Sequence, residues 1–156
     1  MKKNRWPWWI AAAVLAADRA TKALAGGIPP EGTILIPGVI ELKYTENTGA
    51  AFSILSGHSW LLGVISLAVI ISAFLLLRGK KAAPLMKAGL MMMLGGAAGN
   101  MIDRFVTGFV PDMINVLFAD FAIFNVADMC LCTGCALAAI SLLTGGKKKE
   151  QESGAE

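Results

Sequence analysis

Asp18 and Lys22 stand four residues apart, which puts them on one helix face with the acid on the N-terminal side. Asn100, Asp103 and Arg104 stand at i, i+3 and i+4, again on one face, and Asn125 and Asp128 are three apart. If Lys22 neutralises Asp18 and Arg104 neutralises Asp103, two acids of the polar set gathered at or beside the apolar runs are left without an obvious cation, Asp112 and Asp128. Two carboxyl groups brought close in a partly dry site do not both ionise cheaply, so one keeps a proton while the other stays charged. Such a pair offers a base to activate water and an acid to serve a leaving group, the logic of an aspartic hydrolase. Each polar residue also has a structural role open to it. Asp128 can be a helix N-terminal acid stabilised by the dipole, Asp112 an exposed loop acid, and Asn47, Asn100 and Asn125 interhelical or turn hydrogen-bonders.

These residues must be positioned by elements of an unusual kind. Of the 156 residues, 56% are hydrophobic and 16% charged, too little charge for a soluble domain of this size. The apolar residues fall in runs long enough to cross a bilayer. The expected fold class is an all-α membrane protein with four transmembrane helices, roughly 8–25, 59–77, 84–104 and 124–144, in a single domain over 1–146. A carboxylate inside such a run, as at Asp128, costs at least a few kcal/mol and needs a compensating role. Ten of the fourteen Lys and Arg gather at one set of helix ends: Lys2, Lys3, Arg5, Arg78, Lys80, Lys81, Lys87 and Lys147 to Lys149. The positive-inside rule then makes both termini and the 78–87 loop cytoplasmic, with 26–58 and 105–123 outside. With that topology the polar residues collect at one depth, near the outer ends of their helices.

In the first outer segment Ile40, Leu42 and Tyr44 alternate with Glu41, Lys43 and Thr45, the period of a half-buried strand. Residues 33–36 are its expected partner, with Pro37-Gly38 between them, giving a small external sheet on the membrane surface. Gly95 and Gly99 have the small-xxx-small spacing that lets helices approach. Cys130, Cys132 and Cys135 lie in an apolar run with no accompanying His or second Cys pair, so they read as small hydrophobes rather than metal ligands. His58 reads as interfacial. The N-terminus mimics a secretory leader, but Asp18, Arg19 and Lys22 crowd the mock cleavage site, and the segment reads as a retained helix. Residues 147–156 read as a polar, disordered cytoplasmic tail; its lysines are topogenic, and no nucleic-acid partner is expected.

Five motifs appear in order: Asp18-Arg-Ala-Thr-Lys22, Asn47-Thr-Gly49-Ala-Ala-Phe52, Gly99-Asn-Met-Ile-Asp-Arg104, Gly108-Phe-Val-Pro-Asp112 and Phe124-Asn-Val-Ala-Asp128. In this set the chain resembles the signal peptidase II family, the bacterial prolipoprotein signal peptidases. The resemblance implies an aspartic endopeptidase of the inner membrane that cuts just before a Cys carrying diacylglycerol. It implies Asp112 and Asp128 as the catalytic pair, and Asn47, Asn100, Arg104 and Asn125 as the groups that line the site and hold the substrate backbone. Asp18, Lys22, Gly49 and Asp103 match supporting positions. No metal or cofactor is implied; the partners are prolipoproteins and membrane lipids, and the working form is a monomer.

Pro111 departs from the family pattern, where a branched apolar residue is usual, and biases the backbone before Asp112. Residues 113–123 contain no Trp, so any aromatic gate there must come from Phe118, Phe121 or Phe124. Two other readings belong to different classes. A proton-coupled transporter would place its carboxylates near the midplane along a path, and a non-catalytic assembly protein would tolerate Asp128→Asn.

Overall fold

The computed structural model describes residues 5–49, 55, 57–77 and 82–153. Residues 50–52 of the second motif, and Lys2, Lys3, Arg78, Lys80 and Lys81 among the basic residues, lie outside that set. Four helices form, α1 Trp8–Ala25, α2 Ser59–Leu77, α3 Pro84–Val106 and α4 Val126–Ser153, with three strands, β1 Thr33–Ile36, β2 Ile40–Asn47 and β3 Val110–Val116. By length and apolarity, Pro84–Val106 and Val126–Thr144 can cross a membrane, while α2 holds a shorter apolar stretch, Ser59–Leu75.

α3 is the central helix and packs against the other three. Its glycines form two close-approach faces. Gly95 and Gly99 receive α1: a Cβ at Gly95 would sit 2.7 Å from the Ala11 carbonyl oxygen, and one at Gly99 would collide with the Asp18 carboxylate. Gly89 and Gly96 receive α4, where a Cβ would meet the carbonyl oxygens of Gly134 and Ala127, each at 2.5 Å. The expected small-residue spacing is therefore the seat of α1, and a second glycine pair seats α4.

The strands form one antiparallel sheet in the order β1-β2-β3. Pro37 and Gly38 make the β1–β2 turn. Gly38 has φ +71° and the Val39 N–H returns to the Ile36 carbonyl at 3.0 Å, as a type II turn requires. β3 follows α3 through Gly108, whose φ of +82° suits the reversal. Residues 110–116 carry Pro111, and Asp112 and Met113 are both buried, so the strand period is broken. Pro111 is tolerated because it stands at the start of an edge strand.

Two helix ends differ from the apolar runs. α4 begins at Val126 rather than 124 because Phe124 is clipped to β3: the Met113 and Ile114 N–H groups donate to its carbonyl at 3.0 and 2.8 Å, and its own N–H donates to Ile114 at 3.1 Å. The helical backbone continues to Ser153, through residues that composition assigned to a disordered tail. Lys, Glu and Gln are good helix formers and extend a helix already nucleated by the apolar run.

Candidate active site

Asp112 lies in β3 opposite Thr45, with Asn47 on the diagonal two residues along β2, where side chains on one sheet face can meet. Asn47 Nδ2 donates to Asp112 Oδ2 at 2.9 Å. The Asn47 Oδ1 accepts the Gly49 N–H at 2.9 Å, a turn that holds the amide in place. Asp112 is 2% exposed. Burial is the largest influence on its carboxyl and pushes it up to about 6, with the nearby Asp128 charge acting in the same direction and the amides of Asn47 and Asn125 opposing it.

Asp128 sits in the first turn of α4. Asn125, just before that helix, accepts the Asp128 N–H on Oδ1 at 3.1 Å, and Asp128 Oδ2 accepts the Asn125 N–H at 3.2 Å. This is a capping box, with Asn and Asp in place of the usual Ser and Glu. The clip between Phe124 and β3 brings the capping residue against the sheet, and Asn125 Nδ2 donates to Asp112 Oδ1 at 2.6 Å. One asparagine thus caps the helix that bears one acid and hydrogen-bonds the other.

Asn100 of α3 completes the set. Its Nδ2 donates to Asp128 Oδ1 at 2.8 Å, and its Oδ1 accepts Lys22 Nζ at 2.7 Å. Asn47, Asn100 and Asn125 share one scheme. Each carbonyl oxygen is held by a group that can only donate, so each NH2 is turned toward a carboxylate.

Behind Asn100 lies an ion cluster. Lys22 Nζ meets Asp18 Oδ1 at 2.9 Å and Asp103 Oδ2 at 2.7 Å, while Arg19 meets Asp18 at 2.8 Å and Asp103 at 2.6 Å. Two acids and two bases cancel in charge, which offsets the desolvation that a buried charge otherwise suffers. The expected Asp18–Lys22 pairing is present. The expected Asp103–Arg104 pairing is not: consecutive helical residues point about 100° apart, and Arg104 Nη2 instead donates to the Gly49 carbonyl at 3.2 Å. Arg19, which sequence reasoning left unassigned, takes that place and holds both oxygens of Asp103. Its signal was its position between Asp18 and Lys22, next to one acid and on the same helix as the base.

These groups surround a cleft of about 430 Å³. Asn47, Asn100, Arg104, Asp112, Asn125 and Asp128 form its polar wall, and Phe121, Ile123, Phe124, Met129, Leu131 and Cys132 lie in its apolar wall. Gly49, Asp18, Lys22 and Asp103 support that wall from behind. Of the aromatic residues expected near the site, Phe121 and Phe124 line the cleft and meet edge-on with ring centroids 5.8 Å apart. Phe118 is 72% exposed and is not part of the cleft wall. Pro111 leaves Asp112 facing the cleft.

The family described as signal peptidase (SPase) II matches residues 10–144. A lipoprotein signal peptidase of Thermosynechococcus vestitus is 42% identical over 141 residues, covering 85% of this chain and 87% of its own. One from Syntrophomonas wolfei is 37% identical and covers 94% and 98%. A solved structure of a bacterial membrane enzyme, determined by the in meso method at 2.3 Å resolution, superposes with a TM-score of 0.81 at 32% identity, covering 90% of this chain and 89% of its own. The match reaches into all four helices and takes in the residues around the cleft, and the chain belongs to the signal peptidase II family.

Proposed function

We propose that this chain is an aspartic endopeptidase of the bacterial inner membrane that removes the signal peptide from prolipoproteins, cutting just before a diacylglyceryl-modified Cys. The observation that carries the reading is the pairing of Asp112 and Asp128 in one cleft, each accepting hydrogen bonds on both oxygens from uncharged amides. Carboxylates held for structure are neutralised by cations, as Asp18 and Asp103 are; this pair keeps its proton chemistry available. The family membership and the relatives named as lipoprotein signal peptidases support the same reaction.

The pair holds the attacking water. One carboxylate takes its proton as the oxygen adds to the scissile carbonyl carbon. The other protonates the carbonyl oxygen to give a gem-diol and recovers that proton as the intermediate collapses, while the first carboxyl passes the proton it took from water to the departing amine as the C–N bond breaks. Arg104 reaches the cleft with a buried Nε that has no hydrogen-bond partner among the described residues. That donor, with the asparagine amides, fixes the substrate backbone. The reading uses no metal or cofactor and a single copy of the chain.

In this reading all four helices cross the membrane. α2 exposes Val64, Leu67, Ile71 and Phe74, an apolar flank suited to lipid. The charges of α1 are turned inward into the ion cluster. The basic residues put both termini in the cytoplasm, so the sheet and cleft face outward. The signal helix enters from the bilayer, and its acyl chains stay in lipid and set the depth of the scissile bond. The test is incubation of the purified protein in detergent with a precursor in two forms, with and without diacylglyceryl on its Cys. The expected product begins at the lipidated Cys by mass spectrometry, and the unmodified precursor stays whole. Cleavage elsewhere, or of both forms alike, would refute this specificity.

A further inference from the structure

Three asparagines present their amides to the two acids, and they are held in two different ways. Asn47 and Asn125 have their carbonyl oxygens fixed by backbone N–H groups, of Gly49 and Asp128. The oxygen of Asn100 is fixed by a side-chain cation, Lys22 Nζ at 2.7 Å, with a longer contact from Asn125 Nδ2 at 3.3 Å. An amide can turn over and exchange its oxygen for its nitrogen. At Asn100 the turned form would set NH2 against an ammonium and the oxygen against a carboxylate, losing both bonds. Lys22 is itself buried and held by Asp18 and Asp103, and it is absent from the cleft wall.

We infer that Lys22 is a positioning residue for Asp128, acting through Asn100. Its ammonium sets the direction of the Asn100 amide and polarises it, so that Nδ2 donates to Asp128 in the form the reaction uses. Asp18 and Asp103 keep the ammonium in place from behind. The charged groups that act on Asp128 include Asp112 from β3, Arg104 from α3 and Lys22 from α1. Of these, Lys22 is the cation joined to the Asp128 carboxylate through one intervening side chain, that of Asn100, by two short hydrogen bonds. The inference rests on the proposed roles of Asp112 and Asp128.

The test is a double-mutant cycle on cleavage by the full-length protein in detergent: wild type, Lys22→Met, Asn100→Ala and both together. Removing a donor that acts in the transition state lowers kcat by about 10²-fold. Lys22→Met is expected to lower kcat by roughly 10- to 100-fold with KM unchanged, and the double variant to be no slower than Asn100→Ala alone. Lys22→Arg, which keeps the cation, is expected to recover part of the rate. Losses that multiply, or a folded Lys22→Met at wild-type kcat, would overturn the inference. If Lys22→Met does not fold, the cycle is run with Lys22→Gln and read the same way. A failed cycle while Asp112→Asn and Asp128→Asn remain inactive sinks this inference alone; active Asp→Asn variants sink the reading beneath it.

Discussion

Asn125 and Asp128 cap each other at the start of α4, the backbone N–H of each donating to the other's side chain at 3.2 and 3.1 Å. The same Asn125 donates to Asp112 at 2.6 Å. Helix initiation and the spacing of the two acids are therefore set by one side chain.

That double role can be separated. Asn125→Ala removes the cap, at about 1 kcal/mol, and the donor to Asp112, at about 10²–10³-fold in rate. Asn125→Ser restores a capping oxygen but no NH2. The expected outcome is that Ser recovers the melting midpoint while cleavage stays as slow as with Ala. Recovery of both would mean that the amide is not needed at Asp112.

Gly96 sets where α4 begins against α3. In Gly96→Ala the new Cβ would sit 2.5 Å from the Ala127 carbonyl oxygen and 3.1 Å from Leu131. Backbone must move, and the residue that moves adjoins Asp128. A loss of about 1–3 kcal/mol is expected, with at least a tenfold drop in cleavage. Gly26→Ala meets nothing within 4 Å, and its φ of −63° suits any residue, so it should match wild type in both. Thermal unfolding in detergent alongside the cleavage assay compares them.

Burial holds Asp112 at about 6 against an ordinary 3.8. Between those values the folded chain keeps a proton that the unfolded chain has released. This contribution to stability is full below about pH 4 and is lost as pH rises through about 6, amounting to roughly 1–3 kcal/mol. The melting midpoint of wild type should therefore fall from pH 4 to pH 7 more steeply than that of Asp112→Asn. Parallel curves would show that Asp112 is not held in a proton-retaining site.

The helices were legible because long apolar runs leave few other choices, and β1 and β2 because residues 40–45 alternate cleanly. β3 was not, since Pro111 speaks against a strand and buried Asp112 next to buried Met113 breaks the period; only the sheet edge makes both acceptable. The polar cluster could be read from spacing within each helix. The partners could not, because Arg19 with Asp103 is a contact 84 residues apart, whereas Asp103 and Arg104 are neighbours in sequence. The start of α4 was misplaced by two residues because the bond from Phe124 to β3 is a tertiary effect that no local pattern carries.

The most direct test of the account is cleavage of a diacylglyceryl-modified precursor by wild type, Asp112→Asn and Asp128→Asn, each shown to be folded by its melting curve. Both variants should retain the fold and lose cleavage by 10³-fold or more, as expected when either half of an acid–base pair is removed. A folded variant that still cuts at a rate near wild type would contradict the assignment of these two carboxylates as the catalytic pair.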